Sequence, residues 1–268
     1  MILGAPRRII APGYIGTIDP YWLARGLVSA VCHPHGVMMD VAAQQFTNSN
    51  TGTIDVGDRG FGTAFSSTTF ADFATAPPYD QLYAGAISAL VGMRLNALTN
   101  YSQMLSKQTG TTTNVPFEFC AITSTASQMS LVRAGANVTV WKSTTTTMLS
   151  AGAYSVAGVA VPGNLCQSIP TFYCDGVVSD ATLDFNTASP SDVVTDAGGN
   201  YRIGRRFDGA TQLDGTVYFA WLFNRYLHDG EMLALMADPF QIFSTMAFNV
   251  PDGAGAGGGS TRRRFFIV

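Results

Sequence analysis

YRIGRRFDGATQLDGTVYFAWLFNRYLHDGEMLALMADPFQIF, residues 201–243, carries the reading of the whole chain. Within it, 216–223 alternates with period two: Val217, Phe219 and Trp221 point one way, and Tyr218, Ala220 and Leu222 the other. Both sets are apolar, so this strand is expected at the centre of a sheet covered on both faces, as in two packed sheets. Residues 229–237 then place Met232, Leu233, Leu235 and Met236 on one stripe of a helix. Pro239 stops that helix, and Phe240 and Phe243 follow where they can turn back over its stripe.

Upstream, strand-like runs fall at 27–32, 60–73, 86–95, 104–107, 116–122, 129–133, 138–141, 154–161, 171–174 and 201–204. Clusters of Gly, Asn, Asp, Ser, Thr and Pro separate them, a rhythm that indicates a sandwich or barrel. The charge inventory agrees. Lys107 and Lys142 are the only lysines, and Glu118 and Glu231 the only glutamates, although both types favour solvated helix faces.

The 268 residues are 47% apolar and 12% charged, which suits one large β domain over 21–243 and excludes a disordered chain. No stretch approaches the ~18 uninterrupted apolar residues of a spanning helix, so no membrane is expected. A net charge of −3 gives no footprint for nucleic acid. The start, MILGAPRRIIAPGY, puts a Pro and two Arg where a signal peptide needs its apolar segment, so secretion is not expected. Residues 1–20 read as an extended arm. Residues 244–268 read as a second arm, a Gly-rich linker (DGAGAGGGS) leading to TRRRFFIV. Each arm couples an arginine run to β-prone residues: Arg7 and Arg8 with Ile9 and Ile10, and Arg262, Arg263 and Arg264 with Phe265 and Phe266. Such ends suit docking on acidic surfaces while extending a neighbour's sheet.

Ile203-Gly204-Arg205-Arg206, Leu213-Asp214-Gly215 and Asn224-Arg225-Tyr226-Leu227 resemble, in order, the "IGGR" strand, "F-D-G" turn and "NRALS" strand end of laminin G-like domains. TFYCDG (171–176) is similar to that family's "YVDG" hairpin and ARGLV (24–28) to its entry strand. ADPFQIF before an Arg-rich tail is similar to laminin G-like proteins of tailed bacteriophages and prophages. The resemblance implies an all-β, concanavalin A-like jelly-roll β-sandwich with one short C-terminal helix and extended N- and C-terminal arms. One departure stands out: His228 replaces the family's Ser at the helix N-cap, leaving Glu231 as half of a capping box.

Relatives of this fold include glucanases with two Glu around an Asp on one strand. Glu118 stands alone in PFEFCAI and Glu231 lies on the helix, so that carboxylate machinery is missing and no enzyme is expected. His33 and His35, with Asp40 nearby, form the one sequence cluster resembling a transition-metal site, but they read better as a polar turn after a strand. No cofactor is expected. Calcium is the one candidate ion, with Asp180, Asp184, Asp192 and Asp196 as hard oxygen ligands of the kind this fold family uses at its rim. Tyr79, Tyr83, Tyr101 and Trp141 fall near loop-like segments and could stack on sugar rings. Cys32 and Cys120 read as small core residues. Cys166 and Cys174 could close a loop across Pro170, although reduced thiols suit the chain better. GAGAGG within the linker lacks the βαβ setting of a dinucleotide site.

The resemblance and the arms together lead to a bacteriophage virion structural protein, a capsid decoration or tail-tip/fibre component assembled in the bacterial host cytoplasm. Its partners would be other virion proteins and its own copies, for instance in a trimer. The alternative is a lectin-like module for host-surface polysaccharide, and the third reading a glycoside hydrolase.

Overall fold

The computed structural model describes residues 17–18, 22–47, 49–57, 59–66, 68–73, 79, 82, 85–98, 101–109, 113–122, 128–196, 198–209 and 211–244. In chain order the first strands are β1 (Thr17–Ile18), β2 (Leu27–Cys32), β3 (Met39–Asp40), β4 (Gln45–Phe46), β5 (Ser49–Asn50), β6 (Thr53–Gly57) and β7 (Gly60–Phe65). There follow β8 (Ala71–Phe73), β9 (Ile87–Leu95), β10 (Ser102–Lys107), β11 (Val115–Ile122), β12 (Gln128–Ala134), β13 (Val138–Ser143) and β14 (Tyr154–Val161). β15 (Thr171–Cys174), β16 (Val177–Ser179), β17 (Ala181–Asn186), β18 (Tyr201–Ile203), β19 (Gly215–Phe223), helix α1 (Asp229–Ala237) and β20 (Phe243–Ser244) complete the set.

The strands form two large antiparallel sheets. One runs β17-β13-β12-β11-β10-β18-β8-β5; the other runs β16-β15-β14-β9-β19-β2-β3-β4, with β7 beside the start of β19 and β6 beside β7. The fold is the expected β-sandwich jelly roll with a single short helix. Its principal core lies between the sheets. Phe117, Phe119, Leu131, Trp141 and Tyr201 come from the eight-stranded sheet, and Val91, Val159, Phe172, Val217 and Leu222 from the other. A second apolar layer lies on the outer face of the ten-stranded sheet, where Phe219, Trp221 and Phe223 pack against Met232, Leu235 and Met236 of α1.

β19 is as central as its composition demands: all nine residues are buried. Its two faces are not the expected ones. A bulge between Val217 and Phe219 shifts the register against β9, and one extra residue reverses every side chain beyond it. Val217 therefore shares the inter-sheet core with Ala220 and Leu222, while Phe219 and Trp221 lie under the helix. The Phe219 ring occupies the space that a side chain on Gly92 would need; a Cβ there would sit 2.1 Å from Phe219 Cε1.

α1 spans the expected residues. Its start is held by Glu231, whose Oε2 accepts the His228 backbone N–H (3.0 Å) and whose Oε1 lies 2.8 Å from Arg225 Nη1. Phe240 and Phe243 do turn back, and their rings meet Trp221 edge-on at centroid distances of 5.4 and 5.6 Å. The Trp221 indole N–H donates to Pro239 O (3.0 Å). Beyond this, Thr17 and Ile18, read from sequence as arm, pair with Ser244 and Phe243. The chain thus enters and leaves the sandwich through one two-stranded ribbon.

Candidate functional site

The outward face of the eight-stranded sheet is built by one strand-to-strand row. Asp72, Arg202, Ser106, Glu118, Val132, Val140 and Phe185 stand opposite one another on successive strands from β8 to β17. In-register residues point to the same side of a sheet. The alternate residues, including Ile203, Leu105, Phe119, Leu131 and Trp141, fill the core instead. A second outward row holds Gln103, Cys120, Ser130, Lys142 and Thr182. A sheet face exposed only to bulk water has no need of residues so deeply placed: Ser106, Glu118 and Ser130 are all buried.

A turn at 205–209 folds over this face. Ser106 Oγ donates to Arg205 O (3.2 Å), and Arg202 Nη1 donates to Phe207 O (3.0 Å). Arg202 also clamps Asp72 with two nitrogens, Nη2 to Oδ2 at 2.9 Å, while its guanidinium lies 4.7 Å from the centre of the Phe70 ring. Within the turn, Arg206 grips Asp208 through Nε and Nη2, each at 2.9 Å. Glu118 lies beneath, hydrogen-bonded by Gln108. Burial pushes its carboxyl up to about 7; the Arg206 charge opposes that rise and the Asp208 charge adds to it. Near neutrality Glu118 is therefore divided between a proton donor and a charged acceptor.

Tyr101 stands at the other side of the patch, entering β10 with a left-handed backbone (φ 59°) and 37% of its surface exposed. Partial burial raises its hydroxyl, as do the Asp184, Cys120 and Glu118 charges, and Lys142 lowers it. Lys142 Nζ donates to Asp184 Oδ1 at 2.7 Å across the β13–β17 pairing. An exposed aromatic ring beside ordered carboxylates, amides and guanidinium groups is the chemistry that recognises polyhydroxylated ligands.

Of the described aromatic residues expected to meet sugar, only Tyr101 is exposed. Tyr79 is fully buried, its hydroxyl donating to Asp40 and its ring stacked on Tyr201 at 5.1 Å. Trp141 lies on an inward-facing strand position and is 8% exposed. Both corrections have one cause: aromatics close to turn residues in sequence are drawn into the core, Trp141 from a strand and Tyr79 from the segment between β8 and β9. Tyr83 lies outside the described residues, as do Arg7, Arg8, Ile9, Ile10, Arg262, Arg263, Arg264, Phe265 and Phe266.

The expected calcium ligands are not brought together. Asp184 pairs with Lys142 and Asp196 with the buried Lys107. Asp192 Oδ2 accepts from Asn137 Nδ2 and Ser189 N, both at 2.9 Å. Asp180 is exposed on the short link from β16 to β17. Among the described residues no group of three His, Cys, Asp or Glu side chains is placed to hold a metal ion. His33 is buried: its Nε2 meets Thr63 Oγ1 at 2.8 Å and its Nδ1 meets Tyr218 O at 3.0 Å. Asp40 is consumed by the Ala30, Ala42 and Ala43 backbone N–H groups. The four cysteines are free, and burial raises each thiol, which makes them poor nucleophiles.

Solved structures share this architecture. It is a jelly-roll β-sandwich. Domain 4 of the extracellular GH43 arabinanase AbnA from Geobacillus stearothermophilus, solved with arabinotriose, is 12% identical. It matches 78% of this chain and 98% of its own at a TM-score of 0.56. Trypanosoma rangeli sialidase, solved with sialic acid, is 18% identical over 82% of this chain and 34% of its own, with a TM-score of 0.55. The binding domain of Paraclostridial Mosquitocidal Protein 1 is 12% identical over 82% of this chain and 53% of its own, with a TM-score of 0.60. No protein-family model and no curated protein matches the sequence. The chain spans about a third of the sialidase and half of the toxin domain. At these identities the likeness shows the fold alone.

The likeness nevertheless corrects one expectation. The chain was read as no enzyme because a glucanase motif is missing, yet chains of an arabinanase and a sialidase carry this sandwich. The lack of one family's motif therefore does not exclude catalysis. The sequence reading also missed the surroundings of Glu118. Glu118 looked isolated because Asp208 and Arg206 lie some ninety residues away and reach it only through the β10–β18 pairing. The one available signal was an acidic residue inside an otherwise apolar strand, PFEFCAI.

Proposed function

We propose that this chain is a carbohydrate-binding module whose ligand lies across the outward face of the eight-stranded sheet, between Tyr101 and the turn at 205–209. The observation that carries this reading is the exposed Tyr101 ring on a face that also holds the partly exposed ion pairs Lys142–Asp184 and Arg206–Asp208. The ring supplies an apolar platform, and the two ion pairs supply acceptors and donors for hydroxyls. Two of the similar structures were solved with arabinotriose and sialic acid, which supports a sugar as ligand without indicating which one. A glycan array probed with the full chain tests the idea, followed by titration of its best hit. Y101A should weaken that binding at least ten-fold, and R206A should do likewise. No bound glycan, or binding indifferent to both changes, would overturn it. Sugar released from the bound glycan would make Glu118 a catalytic group.

A second reading, a bacteriophage virion component held by its arms, is favoured by the β1–β20 ribbon. It places Thr17 beside Ser244, a junction from which arginines of both arms could act on one acidic surface. Removal of residues 252–268 should then abolish incorporation into particles, and normal incorporation would sink the reading.

A further inference from the structure

One flank of the sandwich is left open. β17 is the last strand of the eight-stranded sheet and β16 the last of the ten-stranded sheet, and Asp180 alone separates them in sequence. Both sheets therefore end on the same side. None of the residues of β17 is buried; Leu183 is 48% and Phe185 52% exposed. Val177 of β16 is 51% exposed. Of the twelve exposed large apolar side chains among the described residues, seven fall between Leu165 and Val193, so exposure is concentrated here. β17 pairs only with β13 among the described residues, which leaves every second backbone N–H and C=O along it facing outward. It also lacks the lysine, proline or inward-pointing charge with which natural edges block pairing.

The flank is acidic. Residues 143–201 contain five Asp and no Lys, Arg, His or Glu. Asp180 is exposed where β16 passes into β17, and Asp184, ion-paired with Lys142, lies on the edge. A second copy of the same edge would bring like charges together, which disfavours self-pairing. The complementary segment is within the chain itself. TRRRFFIV, residues 261–268, joins three arginines to four β-prone apolar residues with no Gly or Pro.

We propose that the β17 edge is the docking site of the C-terminal segment 261–268 of the same chain, added as a ninth strand to the eight-stranded sheet. The segment satisfies the outward backbone groups, its Phe and Ile cover Leu183 and Phe185, and its arginines face the aspartates. Residues 245–260 can reach it: sixteen residues extend to at most about 55 Å, whereas a compact domain of this size has a radius of gyration of about 17 Å. A short tether also gives an effective concentration in the millimolar range, which favours the copy's own edge over a neighbour's. This docking rests on neither the sugar site nor the particle.

Hydrogen exchange on the full-length chain tests it, because only paired edge amides are protected. In the unaltered chain, amides of 181–186 should exchange at least ten-fold more slowly than in R262E/R263E/R264E or in F265S/F266S. The difference should be independent of protein concentration and should shrink with added salt for the arginine contribution. Equal exchange in all three proteins would overturn the proposal, and so would protection that grows with concentration. Unchanged exchange in β19 serves as the control that the body remains folded.

Discussion

Two buried titratable residues, Glu118 and His33, give the stability of this protein opposite dependences on pH. Burial raises the Glu118 carboxyl from an ordinary 4.5 to about 7, so the native state holds a proton that the unfolded chain has released. Stability from this group is full below 4.5 and is lost as pH rises through about 7. For a shift of this size the loss is about 3 kcal/mol. Burial lowers the His33 imidazole from 6.5 to about 4, against a raising hydrogen bond to Tyr218 O. Its contribution is full above 6.5 and is lost as pH falls through about 4, by a similar amount. Between about 4.5 and 6.5 the two slopes oppose each other, and the unaltered chain should show a broad stability plateau there. E118Q should be more stable than the unaltered chain at pH 8 and nearly equal to it at pH 4.5. H33Q should flatten the acid limb instead, whatever it costs at neutral pH. Urea midpoints at pH 4, 5.5 and 8 read both effects, and a parallel pH profile for E118Q and the unaltered chain would refute the assignment of Glu118.

At the scale of elements, β19 decides how the two apolar layers divide, and its bulge turns on Gly92. A Cβ at Gly92 would meet Phe219 Cε1 at 2.1 Å, too close for either ring or strand to absorb. G92A should therefore destabilise by about 1–3 kcal/mol, of the order found for overpacking in a rigid core. F219A alone should cost about 3–5 kcal/mol through its cavity. In the double variant the ring that clashes is gone, so the combined loss should fall at least 1 kcal/mol short of the sum. Strict additivity would mean that ring and glycine are unrelated. The same strand shows what was legible beforehand. Its central place followed from the two apolar faces of 216–223, and α1 followed from its stripe and Pro239. The faces did not, because a bulge leaves the local alternation intact and depends on a glycine more than a hundred residues distant. β17 was missed for a related reason. ATLDFN sits between acidic turn residues and buries nothing, so neither periodicity nor hydrophobicity marks an edge strand.

For the whole molecule, sequence reached the architecture more readily than the site. A sandwich needs only alternating strands and turns, which are local, whereas the Glu118 patch is assembled from β8, β10, β11, β18 and the turn at 205–209. Tyr79 and Trp141 show the consequence: aromatic residues near turns were read as exposed, but two sheets that must fill a shared core take most of them inward. Closure of the molecule depends on another long-range pairing, that of β1 with β20, which lies just past the residues that cover the outer face of the ten-stranded sheet. A chain ending at Ser244 keeps this closure, so its Tm should change by only a few degrees. A chain ending at Asp238 loses Ile242, Phe243 and the half-buried Phe240, together with the carbonyl that accepts the Trp221 indole N–H. At about 1.5–3 kcal/mol for each fully buried side chain, the apolar loss alone is on the order of 5 kcal/mol. For a domain of this length that corresponds to a fall in Tm of roughly 10–20 °C. Thermal denaturation of the two truncations by circular dichroism separates the outcomes. Equal melting of both would mean that residues 239–244 only decorate the sandwich and that α1 covers its outer face unaided.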